Sequence, residues 1–173
     1  MRYSATLDNN SKIVTNLAII LTLVFLCRQL TDVSHDAVST TILLFILVPG
    51  ILVAWCLSPR YYIISDTAIL IRRPLLSITI QLSEVVRLRS ITEEDLGSSS
   101  RLLAIGGIFG YLGTYHSSEI GKYQRWCTNR ENLVLIESDS RKWLISPSEA
   151  DDFVRTVNKV INAPGSGFYP AQD

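Results

Sequence analysis

Two uncharged apolar runs near the N-terminus constrain this chain more than any other feature. The first, Ile13–Cys27 (IVTNLAIILTLVFLC), carries no charged side chain. It extends to Leu30 if Arg28 lays its stem along apolar surface and keeps its head at the interface. The second, Ala37–Pro59 (AVSTTILLFILVPGILVAWCLSP), is also uncharged. At about 1.5 Å per residue it is long enough to cross a hydrocarbon core of about 30 Å. Pro49-Gly50 near its middle would break a helix in water but kinks one in a membrane. Trp55 near its end suits an interfacial aromatic belt. The runs account for much of a composition that is 47% hydrophobic.

These runs read as a two-helix transmembrane hairpin over residues 13–58. A cleavable signal peptide fits poorly, because the basic n-region is weak and no small-residue cleavage site follows. Residues VFLC also lack the small side chain that a lipoprotein site places before its cysteine. A buried hairpin of a soluble protein fits no better, since both runs exceed ordinary core-helix apolarity. Arg2 and Lys12 precede the first run, and Arg60, Arg72 and Arg73 follow the second. Arg28, between the runs, lies beside Asp32 and Asp36. That bias places both ends in the cytoplasm, N-in and C-in, with a tiny external loop at Gln29–Asp36. In that orientation residues 1–12 are a cytoplasmic N-terminus.

Beyond Pro59 the periodicity changes. RYYIISDTAILIRRP reads as two strands around a Ser65-Asp66 turn. SITIQL alternates, with Ile78, Ile80 and Leu82 on one face. EVVRLRS continues the alternation, with Val86 and Leu88 inward and Arg87 and Arg89 outward. ITEEDLGSSSR is a surface loop. GKYQRWCT, NLVLIES and RKWLIS are three more strands, separated by hairpin turns at Thr128–Glu131 and Ser138–Ser140. Ser146-Pro147-Ser148-Glu149 has the form of a capping box with proline at the first helical position. Phe153, Val157, Val160 and Ile161 then recur at helical spacing. About seven strands followed by one amphipathic helix fit an antiparallel barrel or bent sandwich with the helix plugging an open end. Residues 163–173 read as a disordered tail.

The stretch Ala104–Tyr115, AIGGIFGYLGTY, admits several readings. It spells neither GxGxxG nor a Walker A loop, and no GK[ST] follows. The uncharged run around it, Leu102–Tyr115, is about 14 residues and too short to cross a membrane. An interfacial dip would anchor Phe109, Tyr111 and Tyr115 in headgroups. The favoured reading is a loop and strand whose glycines permit tight bends, with Phe109 packed inward.

Catalytic and metal chemistry find little support. The chain has 16 basic and 16 acidic residues, unlike the basic footprint of a nucleic-acid binder. Cys27, Cys56 and Cys127 form an odd set without CxxC, which argues against disulfides and zinc. Cys127 and His116 are the sole nucleophile–base pairing, and no third group orients them. Glu93-Glu94-Asp95 lacks calcium-loop spacing. Ser117-Ser118 lacks the GxSxG frame. No catalytic, cofactor or metal residue is assigned. Arg72 and Arg73, with Arg87 and Arg89 on a nearby strand, are the candidate patch for anionic lipid heads or an acidic peptide.

Two N-terminal spans followed by YYIISDTAILIRR…ITIQLSEVVRLRSI resemble the bacterial pleckstrin-homology-like (PH-like) domain proteins. So does GGIFGYLGTYHSSEIGKYQRWCTNRENLVLIESDSRKWLISPSEADDFV. The resemblance covers roughly Pro59–Ile161. It implies a membrane-anchored α+β chain, with a two-helix transmembrane hairpin followed by a PH-like β-barrel. That barrel, over 59–162, has about seven antiparallel strands and a C-terminal capping helix. It implies a bacterial inner membrane as the location, no catalytic residues and no cofactor. The expected function is a membrane-tethered, non-catalytic PH-like binding or scaffolding module, with the lipid bilayer and a protein as partners. The turn in YYIISDTAILI carries an aspartate where phosphoinositide-binding PH domains carry lysines, so phosphoinositide binding is not supported. The alternative is an accessory subunit acting through its transmembrane helices, with Ser39, Thr40, Thr41, Gly50 and Ala54 packing against a partner.

Overall fold

The computed structural model describes residues 1–31 and 37–162. The centre of the external loop expected at Gln29–Asp36 and the tail expected to be disordered lie outside them. The two apolar runs form α1 (Asn9–Thr31) and α2 (Ala37–Leu57), and α2 stays helical through Pro49-Gly50. Asp8 starts α1: its Oδ1 accepts the Ser11 amide at 2.7 Å, filling an orphan donor of the first turn. Within α1, Asn9–Arg28 is long and apolar enough to cross a membrane, and only 11% of its most apolar window is buried. The described apolar part of α2, Thr41–Leu57, falls short of that length. Among the described residues there is thus one candidate span rather than the two expected.

The remaining elements are β-rich. A short strand, β1 (Arg2–Ser4), precedes the helices. After them come β2 (Tyr61–Ile64), β3 (Ala68–Arg72), β4 (Ile78–Gln81), β5 (Val85–Ile91), β6 (Ser99–Gly106) and β7 (Tyr111–Ser117). Then follow β8 (Gly121–Cys127), β9 (Leu133–Ser138), β10 (Lys142–Ile145) and α3 (Ala150–Ile161). One sheet has the order β1-β2-β3-β4 and the other β5-β9-β10-β8-β7-β6. The closed antiparallel barrel expected from the resemblance is not formed. Among the described residues β4 pairs only with β3 and β5 only with β9, because a short 3-10 turn at Leu82–Glu84 carries the chain from one sheet to the other.

Three further expectations are corrected. Thr128–Glu131 is not a hairpin turn: β10 lies between β8 and β9 and runs parallel to β8, with Leu144 opposite Arg125. Asn129 shapes that crossing, its Oδ1 accepting the Glu131 and Asn132 amides at 3.3 and 3.2 Å. Ser146 does not cap α3. Its Oγ accepts the Thr128 amide at 2.8 Å, and the helix starts at Ala150 behind Glu149, whose side chain makes no cap bond. Val86 points outward rather than inward, because the register shifts between Val85 and Arg87 and Val85 takes the buried place.

The sheets enclose an apolar core. Tyr62, Ile69, Ile71 and Ile80 from one sheet meet Val134, Ile136 and Ile145 from the other. Phe153 and Val157 of α3 are fully buried in the same core. Each large side chain removed from water in this way contributes about 1.5–3 kcal/mol. The opposite face of the second sheet is also covered. Leu133, Leu135 and Leu144 pack there with Leu96 and three tyrosines, so β9 is apolar on both faces.

Candidate functional site

One pole of the β unit is defined by the direction of the strands. β2 leaves the end of α2, β3 runs back to it, and the Arg60 amide donates to the Arg72 carbonyl at 2.8 Å. β1 ends beside the start of β2, with Ser4 opposite Tyr61, and leads into α1. The roots of both helices therefore meet at the same pole. The unit expected over 59–162 gains a strand from the N-terminus.

The glycine-rich stretch holds the two roots together. It is the tip and second strand of the β6–β7 hairpin, with Ile105 opposite Leu112. At the tip, the Gly107 amide donates to the Gly110 carbonyl at 2.9 Å. Phe109 has φ +55° and is half-buried, so its backbone rather than its ring is the working part. Its amide donates to Thr15 Oγ1 of α1 at 2.9 Å, and its carbonyl accepts Ser58 Oγ just beyond α2 at 2.8 Å. One residue thus bridges both helices. Gly110 makes the bend possible: at φ +126° a β-carbon would sit 2.5 Å from the Cys127 carbonyl oxygen. Tyr111 follows, and its hydroxyl donates to Asp8 Oδ2 at 3.1 Å, joining β7 to the residue that starts α1. The Asp8 amide donates to the Thr128 carbonyl at 3.1 Å.

Phe109 is at the tip, whereas Tyr111 and Tyr115 are buried in the second core. The candidate patch is divided between sheets. Arg72 ends β3 at the root pole and Arg73 opens the loop to β4, whereas Arg87 and Arg89 lie on β5 of the other sheet. Arg73 stacks over Trp126 at 4.7 Å and donates from Nε to the Leu76 carbonyl at 2.7 Å. Arg72 donates to Ser77 Oγ at 3.3 Å. Arg87 is opposite Glu137 in the β5–β9 register.

A second polar constellation was not legible in the sequence. Arg125 is buried and paired with Glu93, so the first acid of the acidic loop is a structural partner rather than a solvated charge. The guanidinium carbon lies 5.1 Å from the Tyr111 ring centroid and 5.7 Å from that of Tyr115. Tyr115 stacks on Tyr123 at 5.8 Å. The sequence signal was the alternation of Tyr123, Arg125 and Cys127 on one face of β8, which places an arginine between two buried positions. Asp95 is held below the usual carboxylate range by bonds from the Thr92 amide and hydroxyl.

Cys127 and His116 do not form a nucleophile and base. Burial pushes the Cys127 thiol up to about 12, and its Sγ donates to the Leu144 carbonyl, whereas His116 is exposed. A thiolate is the reactive form, so this cysteine is chemically quiet at neutral pH.

No curated protein and no solved structure matches the chain. A family model does. Residues 60–161, more than half of the 173, match the family described as Bacterial PH domain, and the chain belongs to that family.

Proposed function

We propose that this protein is a membrane-tethered, non-catalytic binding or scaffolding module on the cytoplasmic face of a bacterial inner membrane. In this reading α1 and α2 both span the bilayer, and both chain ends stay inside. PH-like domains are generally non-catalytic binding modules, and that class fits the family membership. The observation that carries the tethering is the Phe109 bridge, which bonds one backbone unit to Thr15 of α1 and to Ser58 after α2. With β1 beside β2, the bridge seats both helix roots against one pole. A domain so attached is held at a fixed height and angle above the membrane, with its other pole open to a partner. Arg72 and Arg73 face anionic headgroups in this arrangement, and Arg87 and Arg89 remain available to a protein. The basic residues flanking the helices support the N-in, C-in orientation.

A reporter active only in the periplasm, fused after Asp173, stays silent. The same reporter inserted between Thr31 and Asp36 is active. Activity from the C-terminal fusion overturns the orientation.

A second reading, an accessory subunit acting through its helices, is favoured by one feature. Thr41, Leu44, Phe45, Val48 and Pro49 line an apolar groove of about 320 Å³ on α2. Crosslinking in native membranes separates the readings: a partner captured from Phe45 but not from the β unit supports the subunit role.

A further inference from the structure

The loop between β3 and β4 presents two leucines that the β unit does not use. Leu75 is 72% exposed and Leu76 is 62% exposed, although leucine is ordinarily a core residue. The loop is held in place rather than loose. Arg73 Nε bonds the Leu76 carbonyl while its guanidinium lies on Trp126, and Arg72 Nη1 bonds Ser77 Oγ. Pro74 restricts the backbone between them and contributes no N–H that would need a partner away from water. Both arginines thus brace a turn whose apolar side chains point away from the core.

The position of this loop identifies what it meets. β3 runs back toward the end of α2, and the Arg60–Arg72 backbone bond fixes Arg72 beside the root of that helix. Residues 73–77 come next, at the pole where the helices leave. Trp55, an interfacial residue type, lies in the last turns of α2 with Arg60 5.3 Å from its ring. No acidic residue occurs in Ala68–Gln81, whereas Arg72 and Arg73 precede the leucines. Apolar side chains accompanied by two arginines beside a membrane helix suit the boundary between acyl chains and anionic headgroups.

We infer that the Arg72–Ser77 loop is a third membrane contact, in which Leu75 and Leu76 enter the headgroup–acyl boundary beside α2 while Arg72 and Arg73 meet lipid phosphates. The inference rests on the tethering proposed above. It adds a point of support away from the Phe109 bridge, which stops the β unit from rocking about the helix roots.

The test places nitroxide labels on the full-length protein in vesicles of phosphatidylethanolamine and phosphatidylglycerol. Cys27→Ser and Cys56→Ser remove the other accessible thiols, and Cys127 is buried. Labels are introduced through Leu76→Cys, Ile46→Cys and Val86→Cys. Ile46 is an exposed apolar residue of α2, at 67%, and Val86 is an exposed apolar residue of β5, at 65%. Val86 pairs toward Ser138, the end of β9 away from the helix roots. The expected result is that oxygen collides with the label at 76 in preference to a water-soluble nickel chelate, as at 46, while the preference reverses at 86. A label at 76 that behaves like 86 while 46 reports lipid overturns the loop contact and leaves the tethering intact. Water-like behaviour at both 46 and 76 overturns the tethering and the loop contact together.

Discussion

The core between the sheets and the bridge at the helix roots hold the molecule together by different physics. The core is built from interchangeable material. Isoleucines, valines and one phenylalanine are removed from water, and their energy scales with buried area. The bridge is built from individual atoms: one hydroxyl on α1, one hydroxyl after α2, and the two backbone groups of a residue at positive φ. Each of those hydrogen bonds contributes a net of about 0.5–1.5 kcal/mol. The comparison teaches that folding and posture are separable here. The expected outcome is that losing the core unfolds the β unit, whereas losing the bridge leaves it folded but free to swing on its helices.

Three substitutions probe that separation. Phe153→Ala removes a fully buried ring of α3 and is expected to cost about 3–5 kcal/mol. Denaturation of the full chain in detergent reads this directly. Unchanged stability would place α3 outside the core and erase the contrast. Gly110→Val lies where the two regimes meet, between the bridge residue and β7. Its β-branched side chain meets the Cys127 carbonyl at a backbone conformation that L side chains rarely adopt. Strain of about 1–3 kcal/mol should appear as lower stability, together with a looser attachment. If only the attachment changes, the glycine serves posture alone. Thr15→Ala has the smallest expected effect, a loss of about 1 kcal/mol. Its diagnostic is a broader distance distribution between labels on α1 and β5, with an unaltered melting transition. A lowered melting transition would show that the bridge and the core are one cooperative unit.

The features legible in the sequence are those written in short-range order. The alternation of Ile78, Ile80 and Leu82 forecast an inward face that is present in β4 and the turn after it. The helical spacing of Phe153 and Val157 forecast α3. The glycines of Ala104–Tyr115 forecast a folded bend, and a hairpin tip is what they form, although Phe109 works through its backbone instead of packing inward as expected. The bridge itself was hidden. Thr15 looks like one more polar interruption of an apolar run, and nothing near it in the chain names Phe109 as its partner.

By itself, the sequence determined where the chain is apolar throughout, where it alternates every second residue and where it repeats every three to four. These patterns depend only on near neighbours and on helix and strand geometry. Tertiary structure alone decided the pairings between distant residues. Arg2–Ser4 is too short to signal a strand, and it becomes one because β2 offers an open edge. Ser146 had the credentials of a helix cap, yet the Thr128 amide claimed its hydroxyl. Arg125 of β8 sits among buried tyrosines because Glu93 is brought to it from the loop between β5 and β6. In each case a polar or backbone group had more than one possible partner, and burial left it the one that the packed sheets put within reach.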